Sequence, residues 1–254
     1  MNQKNLIERW LAEERAARIH GWDFSHIQGR YEEGDDLPWD YRQRVLDYLS
    51  PTSRLLDLDT GGAEFLLSLG HPHPLTAATE AYPPNVQLCR ELLTPLGVDF
   101  READAAGSLP FEDAAFDLVI NRHGNYNPGE IARVLKPGGV FITQQVGADN
   151  DRDLVELLLP TPPALPFPDQ RLEIAARRFG QCGFTLLEGL TAHQAIRFRD
   201  VGALVWFARI IEWEFPGFSV EACLDRLLAA QALLEEKGVI EGTTHRFLLI
   251  AQKG

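Results

Sequence analysis

The 254-residue sequence has few cysteines, few basic residues and no long apolar run. Its three cysteines, Cys89, Cys182 and Cys223, lie far apart and form no CxxC pair. Because disulfide frameworks need paired cysteines, we expect buried thiols in a reducing compartment. No segment approaches the roughly 18 apolar residues of a membrane span, and residues 1–10 lack the apolar centre of a signal peptide. We therefore predict a cytoplasmic protein with no membrane partner.

Basic residues are outnumbered: 24 Lys and Arg stand against 37 Asp and Glu, which gives a net charge of −13. A protein that follows a phosphate backbone needs many cationic contacts. The charge therefore disfavours a nucleic-acid partner, although a local basic patch could still bind one. The hydrophobic fraction of 45% is that of a globular protein, and the length fits one α/β domain with a cap. The oligomeric state is left open.

Hydrophobic segments alternate with helical patterns between residues 54 and 146. The predicted strands are 54–58, 75–79, 98–101, 116–120 and 140–145. The predicted helices between them are 64–69, 84–96 and 128–135. Alternation with short connections predicts a parallel sheet wound by right-handed crossovers. Asn127 is a predicted N-cap, with Glu130 placed for a capping box, and Lys136-Pro-Gly-Gly139 predicts a stop before the next strand.

On both sides of this segment the alternation of strands and helices is less regular. Before it, we predict helices over 6–19 and 40–49 with an aromatic loop between them. After it, the proline-rich stretch 160–168 predicts a linker or lid hinge, because proline removes donors and fixes φ. We then predict a helix over 170–182, a long strand over 184–198, helices over 201–211 and 220–237, and a final strand over 243–252, with Ser219 as an N-cap.

Small and acidic residues stand where these strands end. In an open α/β sheet, ligands bind outside the carboxyl ends of the strands. Gly61 and Gly62 follow the first predicted strand, where small residues let backbone amides approach a ligand. Glu80 closes the second strand, where a carboxylate can accept both hydroxyls of a ribose. Asp104 follows the third strand, within reach of an exocyclic amine, so the pattern predicts a nucleoside site.

Three segments in this order, 54–63, 75–80 and 109–143, resemble class I S-adenosylmethionine-dependent methyltransferases. The tail segments 198–204 and 213–218 resemble the type 11 group of small bacterial methyltransferases. The resemblance implies a Rossmann-like sheet of seven strands, mostly parallel with an antiparallel last strand, and helices on both faces plus a helical cap. The implied domains are an N-terminal cap over 1–50, a cofactor-binding core over 51–200, a helical insertion over 201–240 that forms part of the acceptor pocket, and a final strand over 241–254.

The implied cofactor is S-adenosylmethionine, with S-adenosylhomocysteine as product. The resemblance assigns the loop after the first strand to the methionine portion, Glu80 to ribose, and Asp104 with the Ala105 amide to adenine. Ala81 and Tyr82 would pack on the adenine face. The cofactor-binding set implied in this way is Asp57, Asp59, Thr60, Gly61, Gly62, Glu80, Ala81, Asp104, Ala105 and Asn121.

One position departs from the family pattern D-x-G-x-G-x-G. The chain has Asp57-Leu-Asp59-Thr-Gly61-Gly-Ala63, with Asp59 at the first glycine position and Ala63 at the third. Asp59 could hydrogen-bond neighbouring amides, contact the positively charged aminopropyl end of the cofactor, or weaken cofactor binding. The sequence is less consistent with a nicotinamide cofactor than with S-adenosylmethionine, because the G-x-G-x-x-G pattern is absent.

The segment after the fourth strand, 121–127, would face the methyl group in the resembling fold. A general base is needed only if the acceptor carries a proton of high pKa. His123 is the first candidate for such a general base, and Tyr126 is the second. The alternative for His123 is a loop histidine that satisfies backbone groups. We predict no metal ligands, because His71-Pro-His73 is read as a surface turn.

Aromatic residues predict where a small organic acceptor binds. The candidates are Trp22, Tyr31, Trp39, Trp206 and Trp213. The alternative is that these side chains only pack the cap against the sheet. The sequence thus predicts methyl transfer to a small molecule. Two alternative functions stay open. The first is a tRNA or rRNA base methyltransferase, which is disfavoured because no N-P-P-Y segment or Pro-Cys nucleophile is present. The second is a methyltransferase-like binding module that lost cofactor affinity through Asp59.

Overall fold

The computed structural model describes residues 2–18, 23–34 and 36–254. The strands are β1 Tyr31–Glu33, β2 Leu55–Leu58, β3 Thr76–Glu80, β4 Asp99–Glu102, β5 Phe116–Arg122, β6 Leu135–Val146, β7 Phe184–Phe198 and β8 Ile240–Lys253. The helices are α1 Gln3–Ala16, α2 Tyr41–Tyr48, α3 Glu64–Ser68, α4 Pro83–Leu93, α5 Pro128–Val134, α6 Arg152–Leu158, α7 Leu172–Gln181, α8 Val201–Ile210 and α9 Leu224–Lys237. Among the described residues, no helix has the length and apolarity needed to cross a membrane.

The strands form one sheet in the order β1-β7-β8-β6-β5-β2-β3-β4. Strands β2 to β6 pair in parallel, whereas β8 is antiparallel to β6 and β1 is antiparallel to β7. The predicted Rossmann-like sheet is therefore confirmed, but the predicted count of seven strands is wrong. The extra strand is β1, in which Tyr31 pairs with Phe198. A three-residue edge strand is too short to show the alternation by which strands are recognised in a sequence.

The chain forms two compact units. The first unit contains the described residues up to Leu37 together with Ala148–Pro168 and His193–His245. The second unit contains Pro38–Gly147, Asp169–Ala192 and Arg246–Gly254. Strands β7 and β8 each contribute residues to both units. The division into a cap over 1–50, a core over 51–200, an insertion over 201–240 and a final strand over 241–254 stays a prediction.

The first unit is built around α8, whose sequence is apolar on all sides. Every residue of Val201–Ala208 is buried, as expected for a helix without a polar face. Trp10 of α1 and Leu227 of α9 belong to the same hydrophobic cluster. Asp200 caps α8 by accepting the Ala203 N–H. Ser219 is not the N-cap of α9 as predicted: this helix begins at Leu224, and the Ser219 hydroxyl accepts the Ala222 N–H in the preceding turn.

The second unit holds the parallel part of the sheet. Strands β2 and β3 are buried along their whole length, as befits parallel strands covered on both faces. The predicted cap Asn127 of α5 is confirmed, since its side chain accepts the Gly129 and Glu130 N–H groups. Asp40 caps α2 by accepting the Gln43 N–H. Glu130 closes no capping box; its carboxylate binds Arg133 and the Leu109 N–H. Strand β6 begins at Leu135, so the predicted stop over 136–139 lies inside that strand.

Candidate cofactor and active site

A buried acid lies at the end of β2. Asp57 has 4% of its surface exposed, and one carboxylate oxygen accepts the Thr60 hydroxyl at 2.6 Å. Burial raises the pKa of Asp57 to about 7; the Thr60 hydrogen bond opposes this, and the charges of Asp59 and Glu80 add to it. Three carboxylates therefore concentrate negative charge at this end of the sheet.

Glu80 is bound directly to the glycine loop. The Gly61 N–H donates to Glu80 Oε2 at 2.8 Å, and the N–H groups of Ala81 and Tyr82 each donate to Oε1 at 2.9 Å. The predicted neighbours at the ends of β2 and β3 are thus in contact. A Cβ added to Gly61 would meet no atom within 4 Å, so the backbone of the loop is open to a ligand at this point.

Asp59 adopts the left-handed conformation, with φ of 52°, which aspartate reaches more readily than most residues. Its Oδ2 accepts the Asn125 N–H at 2.9 Å. Burial raises the pKa of Asp59 to about 6; this hydrogen bond opposes the shift, and Glu80 and Asp104 add to it. Of the three alternatives for this residue, the structure shows a hydrogen bond to a neighbouring amide.

The residues expected around adenine lie at the ends of β3 and β4. Ala81 and Tyr82 are exposed, the latter by 60%. Asp104 is exposed, and its Oδ1 accepts the Ala106 N–H at 2.9 Å, whereas Ala105 is buried. These positions follow the parallel strands as predicted, and their roles toward a cofactor stay predictions.

Asn121 is fully buried at the end of β5. Its Nδ2 donates to the Leu58 carbonyl at 3.0 Å and the Asn125 carbonyl at 3.3 Å. Its Oδ1 accepts Gln145 Nε2 at 2.6 Å and the Thr143 hydroxyl at 3.2 Å. All of its polar atoms are engaged, so Asn121 holds the ends of β2, β5 and β6 together beside the loop.

His123 is linked to Trp39 through Gln144, a residue that no sequence pattern indicates. Trp39 Nε1 donates to Gln144 Oε1 at 2.8 Å, and Gln144 Nε2 lies 3.2 Å from His123 Nε2. Since an indole N–H can only donate, Gln144 must turn its amino group toward the imidazole. His123 Nε2 is then an acceptor, and the proton lies on Nδ1.

The environment of His123 disfavours its charged form. Desolvation, Arg246 and Arg122 lower its pKa to about 3, although the residue keeps an exposed surface. Its φ of 60° places it in the left-handed region. The imidazole is therefore neutral at physiological pH, and its basicity is low.

Tyr126 lies against aromatic side chains of the second unit. Its ring is 5.4 Å from that of Phe141 and 5.7 Å from that of Phe179. Burial raises its pKa to about 12, so the phenol stays protonated near neutral pH. The roles of His123 and Tyr126 as bases stay predictions.

The predicted acceptor residues are distributed over both units. Trp22 lies outside the described residues. Tyr31 and Trp206 of the first unit both contact Phe24, with ring distances of 5.9 and 5.7 Å, and Trp206 is 1% exposed. Trp213, also in the first unit, is 46% exposed. Trp39 is buried in the second unit. The structure therefore brings together Tyr31 and Trp206 in one aromatic cluster.

The prediction that His71 belongs to a surface turn is wrong. His71 is buried, and its Nε2 lies 2.8 Å from the Ser53 carbonyl. A histidine that donates to a backbone carbonyl satisfies a buried polar group without any metal. The sequence pattern could not reveal this contact, because Ser53 lies outside the turn.

Comparison with known proteins agrees with this fold. Residues 56–143 match the family model described as a methyltransferase domain. A phthiotriol/phenolphthiotriol dimycocerosates methyltransferase from Mycobacterium tuberculosis (strain ATCC 25177 / H37Ra) is 33% identical over 98 residues, an alignment that covers 36% of either protein. The chain thus matches little more than a third of that relative's length.

Two solved structures resemble the chain over most of its length. A candidate methyltransferase from Bacillus halodurans C-125 has a TM-score of 0.57 at 18% identity and covers 84% of this chain and 98% of its own. A functionally unknown protein from Deinococcus radiodurans R1 has a TM-score of 0.56 at 15% identity and covers 96% and 99%. Likeness at such identities shows the fold alone. Residues 56–143 therefore carry the sequence pattern of the methyltransferase-domain family, and the chain has a Rossmann-like α/β methyltransferase fold.

Proposed function

We propose that the protein is an S-adenosylmethionine-dependent methyltransferase that acts on a small-molecule acceptor. The observation that carries this proposal is the hydrogen bond between the Gly61 N–H and the Glu80 carboxylate. It joins the small-residue loop after β2 to the acid that ends β3, at the edge of a parallel sheet where nucleoside ligands bind.

The residues at this edge fit the cofactor. The open side of Gly61 would admit the methionine portion, and Glu80 would accept the ribose hydroxyls in exchange for backbone donors. The carboxylates of Asp57 and Asp59 favour a cationic ligand, because like charges are already crowded there. When bound, S-adenosylmethionine supplies a methyl group on a positively charged sulfur.

The catalytic contribution that we propose is alignment of the acceptor in a water-poor site. His123 would hold a neutral imidazole near the acceptor, fixed by Gln144 and Trp39. Its low basicity favours an acceptor whose nucleophilic atom carries no proton of high pKa.

The acceptor is proposed to be a small molecule on two grounds. The net charge of −13 disfavours the nucleic-acid alternative. The mycobacterial relative is named for methylation of phthiotriol and phenolphthiotriol dimycocerosates, so compounds of that class belong in the acceptor screen beside small polar amines and alcohols.

Calorimetric titration with S-adenosylmethionine and S-adenosylhomocysteine tests the proposal. We expect the wild type to bind both ligands and Glu80→Ala to lose about tenfold or more in affinity, which is about 1.4 kcal/mol. Glu91→Ala, at an exposed acid of α4, is the matched control and should bind as the wild type does. Thermal denaturation of each variant verifies folding. A folded wild type that binds neither ligand would overturn the proposal.

One observation favours the binding-module alternative. The Asp59 carboxylate, at the first glycine position of the family pattern, is held against the 124–125 segment. If it blocks the cofactor, Asp59→Gly will raise affinity more than about a hundredfold, or about 2.7 kcal/mol. We expect a change within about tenfold, which would support the enzyme.

A further inference from the structure

Three potential metal ligands lie together in the first unit, on segments that are distant in the sequence. Asp149 follows β6, His193 is on β7 and His245 is on β8. One ligand atom of each residue lies within 4.8 Å of one ligand atom of both others. We infer that these three residues form a binding site for a divalent first-row transition metal of the zinc type. This inference is independent of the proposed methyl transfer.

The geometry of the pair formed by Asp149 and His245 is already near that of two ligands of one ion. His245 Nδ1 lies 3.7 Å from Asp149 Oδ2. Two ligands about 2.0–2.1 Å from a tetrahedral zinc ion are roughly 3.4 Å apart. His245 Nδ1 also accepts the Asp149 backbone N–H at 3.3 Å, so an ion bound at this atom would replace that hydrogen bond. His193 closes the third side: its ring stacks on that of His245 with centroids 4.4 Å apart and an interplanar angle of 24°.

Neighbouring polar groups hold the backbone that carries the buried histidine. His245 is 4% exposed, and its backbone N–H donates to Asn150 Oδ1 at 3.1 Å. Asn150 Nδ2 in turn donates to Glu214 Oε1 at 3.2 Å. These bonds fix the backbone of β8 at residue 245, and the stacking with His193 is the contact of the imidazole itself. His193 is exposed, so an ion can reach the cluster from that side.

The donor set selects the class of ion. Two imidazoles and one carboxylate suit zinc, cobalt, nickel or ferrous iron, whereas magnesium and calcium prefer oxygen ligands. Three coordinating side chains also leave the fourth coordination position of a tetrahedral ion for water or for a bound small molecule. Sites of this kind are not purely structural. A stacked histidine pair without an ion is the competing explanation, because neutral imidazoles can pack against each other.

Titration of chelator-treated protein with Zn²⁺ and with Co²⁺ separates the two explanations. We expect one equivalent of Zn²⁺ to bind, a rise in the melting temperature, and visible Co²⁺ absorption that reports nitrogen ligands. His193→Ala and Asp149→Ala should each weaken binding by about tenfold or more. His193 is exposed, so its substitution should leave the fold intact.

His26→Ala is the matched control. His26 also lies beside a carboxylate in the first unit, 2.7 Å from Glu13, but it is not part of the three-residue cluster. The control should keep full affinity. Absence of stoichiometric binding by the wild type, or binding that survives in both His193→Ala and Asp149→Ala, would overturn the inference. Cofactor titration is a separate measurement, so failure here leaves the methyltransferase proposal standing.

Discussion

The side chain of Asp59 lies directly against Gly124: a Cβ added to Gly124 would be 2.5 Å from the Cβ of Asp59 and 2.9 Å from Asn121 Nδ2. Real Cβ atoms do not approach side chains this closely, so residue 124 must be glycine while residue 59 carries a Cβ. The aspartate in the loop after β2 is thus accommodated by a glycine in the loop after β5.

We predict that Gly124→Ala destabilises the protein by about 1–3 kcal/mol, because overpacking forces the loop to shift. Asp59→Gly should recover part of this loss, since it removes the nearer contact, while the Asn121 contact remains. Asp59→Ala is the control: it keeps the Cβ and should recover little. Urea denaturation of the single and double variants measures the coupling. A Gly124→Ala protein as stable as the wild type would contradict the packing argument.

The pH dependence of cofactor binding follows from the two acids with raised pKa values, and it depends on the proposed function. The pKa values of Asp57 and Asp59 are about 7 and about 6. As the pH falls from about 8 to about 5, both acids gain protons and the site loses negative charge. We expect affinity for S-adenosylmethionine to fall more steeply than affinity for S-adenosylhomocysteine, which lacks the sulfonium charge.

The matched variants for this prediction are Asp59→Asn and Asp47→Asn. Asp59→Asn should flatten the change near pH 6, whereas Asp47→Asn, at an exposed residue of α2, should leave it in place. Calorimetry at several pH values measures both ligands. Parallel pH curves for the two ligands would show that these carboxylates do not sense the sulfonium charge.

Asp57 should also make the stability of the fold depend on pH. Its pKa is raised from 3.8 to about 7, so between these values the native state holds a proton that the unfolded state has released. The free energy of unfolding therefore falls as the pH rises through this window. The Asp57→Asn variant should not show this loss of unfolding free energy, which is on the order of 1–4 kcal/mol. Above about pH 7 the variant should therefore be more stable than the wild type. Asp47→Asn again serves as control, and equal pH slopes for wild type and Asp57→Asn would refute the assignment.

The contact between the loop after β2 and the end of β3 could be predicted from the sequence because its parts are local. Gly61 lies in the loop after β2 and Glu80 ends β3, and the carboxyl ends of parallel strands meet at one edge. Their hydrogen bond required only that β2 and β3 be neighbours. Helix caps such as Asn127 were predictable for the same reason, since the cap and the N–H groups it binds lie within three residues.

Other features depend on pairings between distant segments. Strand β1 exists because Tyr31 pairs with Phe198, and the cluster of Asp149, His193 and His245 exists because β7 and β8 bring two histidines together. Gln144 gave no signal, since a glutamine in a buried strand is read as an ordinary interruption of an apolar run. Its partners Trp39 and His123 are 105 and 21 residues away.

The hydrogen bonds of Gln144 lead to a prediction about the His123 tautomer. Because Trp39 fixes the orientation of the Gln144 amide, His123 Nε2 accepts and Nδ1 carries the proton. With a pKa lowered to about 3, the imidazole should not titrate between about pH 5 and 8. We expect ¹⁵N NMR of the imidazole to show the neutral Nδ1–H form throughout this range.

Changing Gln144 tests the cause of this behaviour. Gln144→Glu places a carboxylate beside His123 that can still accept the Trp39 N–H, and an adjacent opposite charge should raise the imidazole pKa by about one unit or more. Gln181→Glu, at the exposed end of α7, adds the same charge elsewhere and should leave His123 unchanged. If the wild-type imidazole titrates with an ordinary pKa, or carries its proton on Nε2, then Gln144 does not hold His123 in the state that the geometry requires.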